Sequence, residues 1–442
     1  MGGSPLEQTF LGAPGRTFLE EGDLTWTPAA LSSLADTIAC RLPLQAGPLI
    51  GINAGSAAFT IAALLALWRT GRSGCLLDPA LRAEEAHHRP GIEGLILAPA
   101  PGETIPGAPE EATVPSAGPG AVQAPRLPSG EEPLVSFLTS GSTGEPKLVS
   151  KKAFQFERQF ALEPGRLRLE GPFSVLSLVP PFHILGFVYG IYYPAASGGT
   201  AAFAPGLSPH AWIDRIRRLE PHLVVGVPSH FRLMAQLLQR PLPAAVYLCS
   251  GAPLPSDVGR SFQEVAGHAI VEVYGSTESG GVATKSGDEP WRPLPGLRWR
   301  IDEESRLWIH APWLDAPDAW GRTDDLATPD ADGFRLIGRA DTVVKIGGRR
   351  FSTAEVVGAA QTIPDVEAAV AVTYRRYSEA AVALFVTPRP GRALTAESVR
   401  GFLQERLAAF KVPRSIRVLE SLPTRGIGKV DMESLRRLAE GE

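Results

Sequence analysis

Cysteine is scarce in this chain: Cys40, Cys75 and Cys249 are the only three in 442 residues. Their wide spacing builds neither a disulfide framework nor a CxxC metal site, so they are expected to pack as small hydrophobes. Long apolar runs are missing too. The longest, Ala57 to Trp68, falls far short of the roughly 20 residues needed to span a bilayer and reads as a buried helix. The opening MGGSPLEQTF lacks the positive stretch, apolar centre and small-residue cleavage site of a signal peptide, which makes the cytoplasm the expected compartment. Excess charge of one sign is also absent. A formal net charge of −4 and a mean hydropathy of +0.01 exclude the composition of a nucleic-acid binder or a membrane-resident protein. No nucleic-acid partner and no membrane span are therefore expected.

Lysine is the remaining shortage. It occurs only at positions 147, 151, 152, 285, 345, 411 and 429, so 43 basic residues less 7 leaves 36 arginines. A compact ammonium and a planar guanidinium do different work, so a retained lysine marks a place where the ammonium is needed, with drift in codon usage as the alternative at any one site.

A chain this long exceeds the roughly 250 to 300 residues at which a single core stops growing, so at least two folding units are expected. From Pro48 to Pro79, a β-type run (PLIGINAG), an apolar helix and a second β-type run (GCLLDP) spell a βαβ unit feeding a parallel sheet. Similar β-runs ending in Gly/Pro-punctuated loops recur in FSVLSLVPPFH, PHLVVGVPS and AAVYLCSGAPLP. The fold class is α/β, with ligands expected in the loops at the strand ends. Residues 98–133, rich in Pro, Gly, Ala and Glu without periodicity, read as a surface loop or a poorly ordered connection. A change of character at DGFRLIGRADTVVKIGGRR leaves room for a small separate domain, with the boundary at Arg339 to Asp341.

One segment concentrates phosphate-binding chemistry. TSGSTGEPK, from Thr139 to Lys147, offers backbone N–H groups, hydroxyls and an ammonium that can converge on phosphate oxygens. It is not a Walker P-loop, because Leu148 stands where that motif needs Ser or Thr. A kinase or ATPase of that class, which would release ADP rather than AMP, is a remote reading without that Lys-Ser/Thr pair.

TSGSTGEPK resembles the phosphate-loop signature of the adenylate-forming superfamily, which comprises acyl-CoA synthetases, peptide-synthetase adenylation domains and luciferases. Further matches follow in that family's order: PPFHILG (180–186), SGAPL (250–254), YGSTES (274–279), RTDDL (322–326), GRADTVVKIGGRR (338–350) and PTRGIGK (423–429). Seven motifs in register are far more specific than any one of them.

The resemblance implies a large N-terminal region of parallel-rich sheets with packed helices over residues 1–339. A small mobile α+β domain, 340–442, would follow a hinge near Asp341. It implies ATP and Mg2+, a small carboxylic acid as substrate, and transfer of the acyl group to the phosphopantetheine thiol of coenzyme A or an acyl carrier protein. Thr139, Ser140, Gly141, Ser142, Thr143, Gly144 and Lys147 would cradle phosphates. Gly251, Ala252 and Pro253 would wall the adenine, whose face Tyr274 and Gly275 would meet. Thr277 would bind phosphate and Glu278 would give Mg2+ a hard carboxylate oxygen. Asp325, with paired acceptors, and Arg339 would hold the ribose hydroxyls.

Lys429 matches the family's catalytic lysine. Attack of a carboxylate on the α-phosphate brings two anions together, and a long ammonium can bridge them. Lys345 and Gly348 would serve the thiol side. The acyl pocket would be drawn from Phe182, His183, Phe187, Val227, Gly275, Gly280 and Gly281, with His183 a gate or substrate contact rather than a base. These residues are mostly apolar or small, and the Asp with which peptide-synthetase domains hold an ammonium near His183 is missing. An uncharged acid is expected, aryl or fatty, with a lean to aryl.

Two positions depart from the family pattern. Asp324 replaces the usual Gly beside the ribose carboxylate and is expected to face water, since an unpaired buried carboxylate is expensive. Ser352 replaces a usual Glu, although Glu355 fits the next acidic position. Both motivate a second reading, a non-catalytic nucleotide-binding module of the same fold. Retention of Lys147 and Lys429 speaks against it.

Overall fold

The computed structural model describes residues 14–40, 42, 47–53, 55–81, 91–97, 127–140, 146–340, 342–346, 349–376, 379–425 and 429–441. They form two compact units, Met1–Arg298 with His310–Trp320, and Trp299–Ile309 with Gly321–Glu442. Most of the loop expected over 98–133 lies outside the described residues, and its end, Pro133, already begins a strand.

The first unit opens with β1 (Leu19–Glu21), β2 (Leu24–Trp26), α1 (Pro28–Ala39), β3 (Leu49–Asn53), α2 (Ala57–Arg69), β4 (Ser73–Leu77) and β5 (Leu95–Leu97). β3 and β4 pair in parallel around α2, as the βαβ pattern requires. The residues of α2 from Ala57 to Trp68 are all buried, so the apolar run is core. Its N-terminus is capped by Ser56, and Glu21 accepts from Ser56 Oγ at 2.7 Å and Ala57 N at 2.6 Å, placing an anion at the positive end of the helix. Among the described residues no helix is long and apolar enough to cross a membrane.

The chain continues through β6 (Pro133–Ser140), β7 (Pro146–Lys152), α3 (Ala153–Phe160), the single turn α4 (Glu163–Arg166), β8 (Ser174–Ser177) and α5 (Ile184–Phe187). A π-helical turn, Val188–Tyr192, leads into α6 (Tyr193–Ser197). Then come β9 (Thr200–Phe203), α7 (Pro209–Leu219), β10 (Leu223–Gly226), α8 (Pro228–Leu237) and β11 (Val246–Cys249). α9 (Ser256–Ala266), β12 (Ile270–Ser276), β13 (Gly280–Ser286) and β14 (Arg292–Pro293) follow.

These strands make a five-stranded sheet, β5-β3-β4-β6-β7, and a nine-stranded sheet, β14-β13-β12-β11-β10-β8-β9-β1-β2. Parallel pairing runs unbroken from β12 through β11, β10, β8 and β9 to β1. Near-continuous apolar strands such as Leu223–Gly226, buried throughout, are what a sheet covered on both faces demands.

The second unit holds an antiparallel sheet of β15 (Arg298–Ile301), β16 (Arg306–His310), β17 (Gly321–Asp330) and β18 (Gly333–Arg339). After it come β19 (Val343–Ile346), β20 (Arg349–Ser352), α10 (Thr353–Gln361), β21 (Val366–Arg376), β22 (Glu379–Pro388) and α11 (Ala396–Arg406). The chain ends with β23 (Ser415–Val418), β24 (Thr424–Arg425), β25 (Lys429–Val430) and α12 (Met432–Glu440). A core including Val356, Val382, Leu384, Val399 and Leu403 lies between β21-β22-β23 and helices α10 and α11. The 339/340 boundary expected from sequence falls inside this unit, between β18 and β19, and Asp341 lies outside the described residues.

Of the cysteines, Cys75 and Cys249 are buried as expected, and burial pushes the Cys75 thiol up to about 12. Cys40 differs: at the end of α1 it is exposed, because the helix turns its apolar stripe of Leu31, Leu34, Ala35 and Ile38 inward and stops there.

Candidate active site

Two hairpin turns of the first unit carry the phosphate-type residues. β6 and β7 are antiparallel, with Thr139 opposite Lys147 and Ser140 opposite Pro146. Their connection returns strand to strand, unlike the strand-to-helix loop of a Walker motif. Thr139 Oγ1 donates to the Lys147 carbonyl at 3.3 Å, closing the base of the turn, and Lys147 is exposed. Gly141, Ser142, Thr143 and Gly144 lie outside the described residues.

The second turn joins β12 to β13, with Ser276 opposite Gly280 and Gly275 opposite Gly281. Two serines staple it: Ser276 N donates to Ser279 Oγ at 3.0 Å, and Ser279 N to Ser276 Oγ at 3.1 Å. Gly275 is obligatory, because a Cβ there would stand 2.1 Å from the Gly280 carbonyl oxygen. The staple leaves Thr277 half-buried and the Glu278 side chain exposed at the tip.

Lys151 ties the two hairpins together. From β7 its Nζ donates to the Glu278 carbonyl at 2.9 Å, and the residue is only 4% exposed. Burial pulls its pKa down to about 8, against the opposing pull of Asp315 and Glu278. Its neighbour Lys152 faces the other way and pairs with Glu131 and Asp315, both at 3.0 Å. Sequence reasoning missed both Lys151 and the serine staple. The only available signal for the former was the rarity of lysine.

Beside the second hairpin runs the segment expected to wall the adenine. β11 and β12 are parallel neighbours, and the Ser250–Leu254 segment leaves β11 beside the strand that carries Tyr274. Ser250 Oγ donates to the Val273 carbonyl at 2.8 Å, and Leu254 N to the buried Glu272 carboxylate at 3.3 Å. Burial pushes the Glu272 carboxyl up, and Lys285, 2.9 Å away, pulls it back. Gly251 has φ +85, and Gly251, Ala252 and Pro253 are exposed beside the half-buried Tyr274.

The acyl-pocket candidates start at α5. His183 precedes its first turn, exposed, with protein crowding that lowers its pKa and the Asp78 carboxylate opposing. The half-buried Phe182 ring lies 4.6 Å from the imidazole. Gly186 lets the helix approach the preceding loop, since a Cβ would stand 2.1 Å from the Pro180 carbonyl oxygen. Phe187 is in the core, 1% exposed, edge-on to Phe137 and Phe156. Val227, half-buried, caps α8; Gly280 is half-buried and Gly281 buried.

The remaining candidates belong to the second unit. Asp325 and Arg339 stand opposite each other across β17 and β18. Asp324 is 62% exposed, as expected, and pairs with Arg339 at 3.4 Å and Arg306 at 4.0 Å. Lys345 on β19 is opposite Arg350, and Lys429 on β25 is opposite Arg425; Gly348 lies outside the described residues. Ser352 caps α10, its Oγ accepting from Ala354 N at 3.2 Å, and Glu355 pairs with Lys411. The departure at Ser352 is thus a helix cap.

Among the described residues no three His, Cys, Asp or Glu side chains cluster as a metal cage. Glu278 offers a single exposed carboxylate, which fits Mg2+, an ion usually held by one or two carboxylates together with substrate phosphates and water.

The AMP-binding enzyme family model matches residues 94–307, and that of the AMP-binding enzyme C-terminal domain matches 356–429. The chain belongs to the AMP-binding enzyme family. This AMP-binding enzyme is 30% identical over 305 residues to a 4-coumarate–CoA ligase of Cereibacter sphaeroides, covering 68% of this chain and 71% of that one. It is 28% identical over 353 residues to an indoleacetate–CoA ligase of Aromatoleum aromaticum, covering 70% and 68%. Its fold is similar to the o-succinylbenzoate–CoA synthetase of Bacillus subtilis, solved with the acyl-adenylate intermediate OSB-AMP. The TM-score is 0.83 at 20% identity, over 100% of this chain and 98% of that one.

Proposed function

We propose that this AMP-binding enzyme is an acid–thiol ligase that activates an aryl or fatty acid, with a lean to aryl. A carboxylate oxygen of the acid attacks the α-phosphorus of ATP, the bond to pyrophosphate breaks, and an acyl-adenylate forms. A phosphopantetheine thiol, on coenzyme A or an acyl carrier protein, then attacks the acyl carbon. The bond to AMP breaks and the thiol proton leaves to solvent. The observation that carries this reading is the hydrogen bond from Lys151, on the strand that follows the Thr139–Lys147 segment, to the Glu278 carbonyl at the tip of the second hairpin. The aryl lean is supported by the two relatives, whose acids, 4-coumarate and indoleacetate, both carry an aromatic ring.

In this reading Thr277, Lys147 and the loop from Ser140 to Gly144 hold the phosphates, and Glu278 would hold Mg2+, whose charge would neutralise them. Tyr274 and Gly251–Pro253 hold the adenine, and Asp325 and Arg339 the ribose. Lys429 supplies the bridging cation of the first step. Residues 340–442 then turn about Asp341, bringing Lys345 and Gly348 to the thiol side and keeping water from the mixed anhydride.

The test is ATP–pyrophosphate exchange over aryl and fatty acids. Acid-dependent exchange, with AMP as the final nucleotide, is the expected result. ATP binding without exchange for any acid would favour the non-catalytic module, and ADP as product would overturn both readings.

A further inference from the structure

Next to the proposed adenine site lies a buried ion pair that the ligase reading leaves without a task. Glu272 on β12 is 5% exposed and stands opposite Lys285 on β13. One of its carboxylate oxygens accepts from Lys285 Nζ at 2.9 Å and the other from Leu254 N at 3.3 Å. The Lys285 side chain is 19% exposed; its ammonium also donates to the Gly287 carbonyl at 3.2 Å and lies 5.2 Å from the centre of the Trp291 ring. That ring in turn lies 5.6 Å from the ring of Tyr274, which follows Glu272 by two residues on the same strand.

Each partner therefore reaches one flank of that site. Glu272 grips the far end of the Gly251–Leu254 segment, which is exposed from Gly251 to Pro253 and is tied to β12 at its start by Ser250 Oγ on the Val273 carbonyl. Lys285 packs on Trp291, and Trp291 backs Tyr274. Stability is a poor reason for such a pair, because two apolar side chains of similar volume fill a buried position as well or better. Its cation is also one of only seven lysines in the chain. An ammonium that meets a carboxylate, a carbonyl and an aromatic face at once suits that place better than a planar guanidinium.

We propose that Glu272 and Lys285 are positioning residues that hold the two flanks of the base site in register, Glu272 through the Leu254 amide and Lys285 through Trp291 and Tyr274, and so set the preference for adenine over guanine. Both act through their neighbours rather than on the nucleotide. The inference rests on the reading of Gly251–Pro253 and Tyr274 as the adenine site. A flank free to shift still admits a purine, but it no longer offers its backbone groups to one fixed set of base-edge donors and acceptors. Affinity and discrimination then fall together.

The experiment is calorimetric titration of the full chain with ATP and with GTP, each with Mg2+, for the wild type, Glu272→Leu/Lys285→Met and Glu272→Gln. The double variant replaces the pair by apolar side chains, so its thermal midpoint is expected to be unchanged or raised. Its Kd for ATP is expected to rise about tenfold, and its GTP-to-ATP ratio of Kd to fall by a similar factor, as befits the loss of a charge-assisted anchor. Glu272→Gln keeps the shape but leaves one amide oxygen for both donors, and it is expected to show part of the same loss. Because each ratio is taken within one variant, the fraction of folded enzyme cancels. A wild type that binds ATP and GTP alike overturns the inference, as does an unchanged ratio in the double variant or, should that variant not fold, in Glu272→Gln. Hydrogen exchange of the Leu254 amide separates it from the ligase reading. A wild type that binds no nucleotide sinks that reading, while exchange at Leu254 about tenfold faster in the variants leaves the anchor standing and unchanged exchange removes it.

Discussion

Lys151 spends its charge in a place where almost no water reaches it. Burying an ammonium to hold one carbonyl is a poor way to gain stability, and it makes sense where the carbonyl belongs to a turn that must not move. Lys151→Met is therefore expected to leave the thermal midpoint unchanged or raised, while lowering kcat for adenylate formation about tenfold, the worth of one hydrogen bond to a charged group. Lys151→Arg is not expected to rescue, since a planar fork does not fit a site shaped for one ammonium. A fall in both midpoint and rate would mark the residue as structural only. Glu163, fully buried with its carboxyl accepting from the Tyr189 and Tyr193 hydroxyls and the Gln159 amide, gives a pH prediction. Its folded pKa is raised above the ordinary 4.5, so the native state binds the proton more tightly than the unfolded chain. Its contribution to stability is then fully present below about 4.5 and is lost as pH rises through the folded value. The stability gap between Glu163→Gln and wild type should widen in the variant's favour between pH 4.5 and neutrality, as measured by denaturant unfolding.

At the scale of elements, the parallel core was legible because its signal is local. The β3-α2-β4 unit and the strands ahead of PPFH, VPS and SGAP each follow from apolar runs punctuated by Gly and Pro. What depends on distant partners was not. Gln159 and Glu163 sit on a short amphipathic helix and the turn after it, with no motif, and only the fold brings Gly280 and Gly281 beside them. The grouping of β15–β18 with the C-terminal part was hidden for the same reason, since the chain leaves and re-enters that unit around residues 310–320. Gly186 reads as motif in the sequence and as clearance in the structure. Gly186→Ala is expected to push the start of α5 off the Pro180 carbonyl and cost about 1–3 kcal/mol, the usual size of an overpacking penalty, in a thermal or denaturant melt.

Across the whole molecule, the proposed chemistry divides between two steps, and Lys429 separates them. Lys429→Ala is expected to abolish pyrophosphate exchange while thioester formation from a supplied acyl-adenylate proceeds at close to the wild-type rate. Equal loss of both steps would remove Lys429 from its assigned role. The same experiment distinguishes coenzyme A from a carrier protein as acceptor when each is offered to the preformed adenylate.

The uneven burial of the three thiols has a practical consequence for watching such a cycle. Cys75 and Cys249 are sealed in the core and protonated, whereas Cys40 stands open at the end of α1. A maleimide dye will therefore attach at one natural point on the first unit without any engineering. A second label introduced on α12 then gives a distance readout for the proposed turn of residues 340–442.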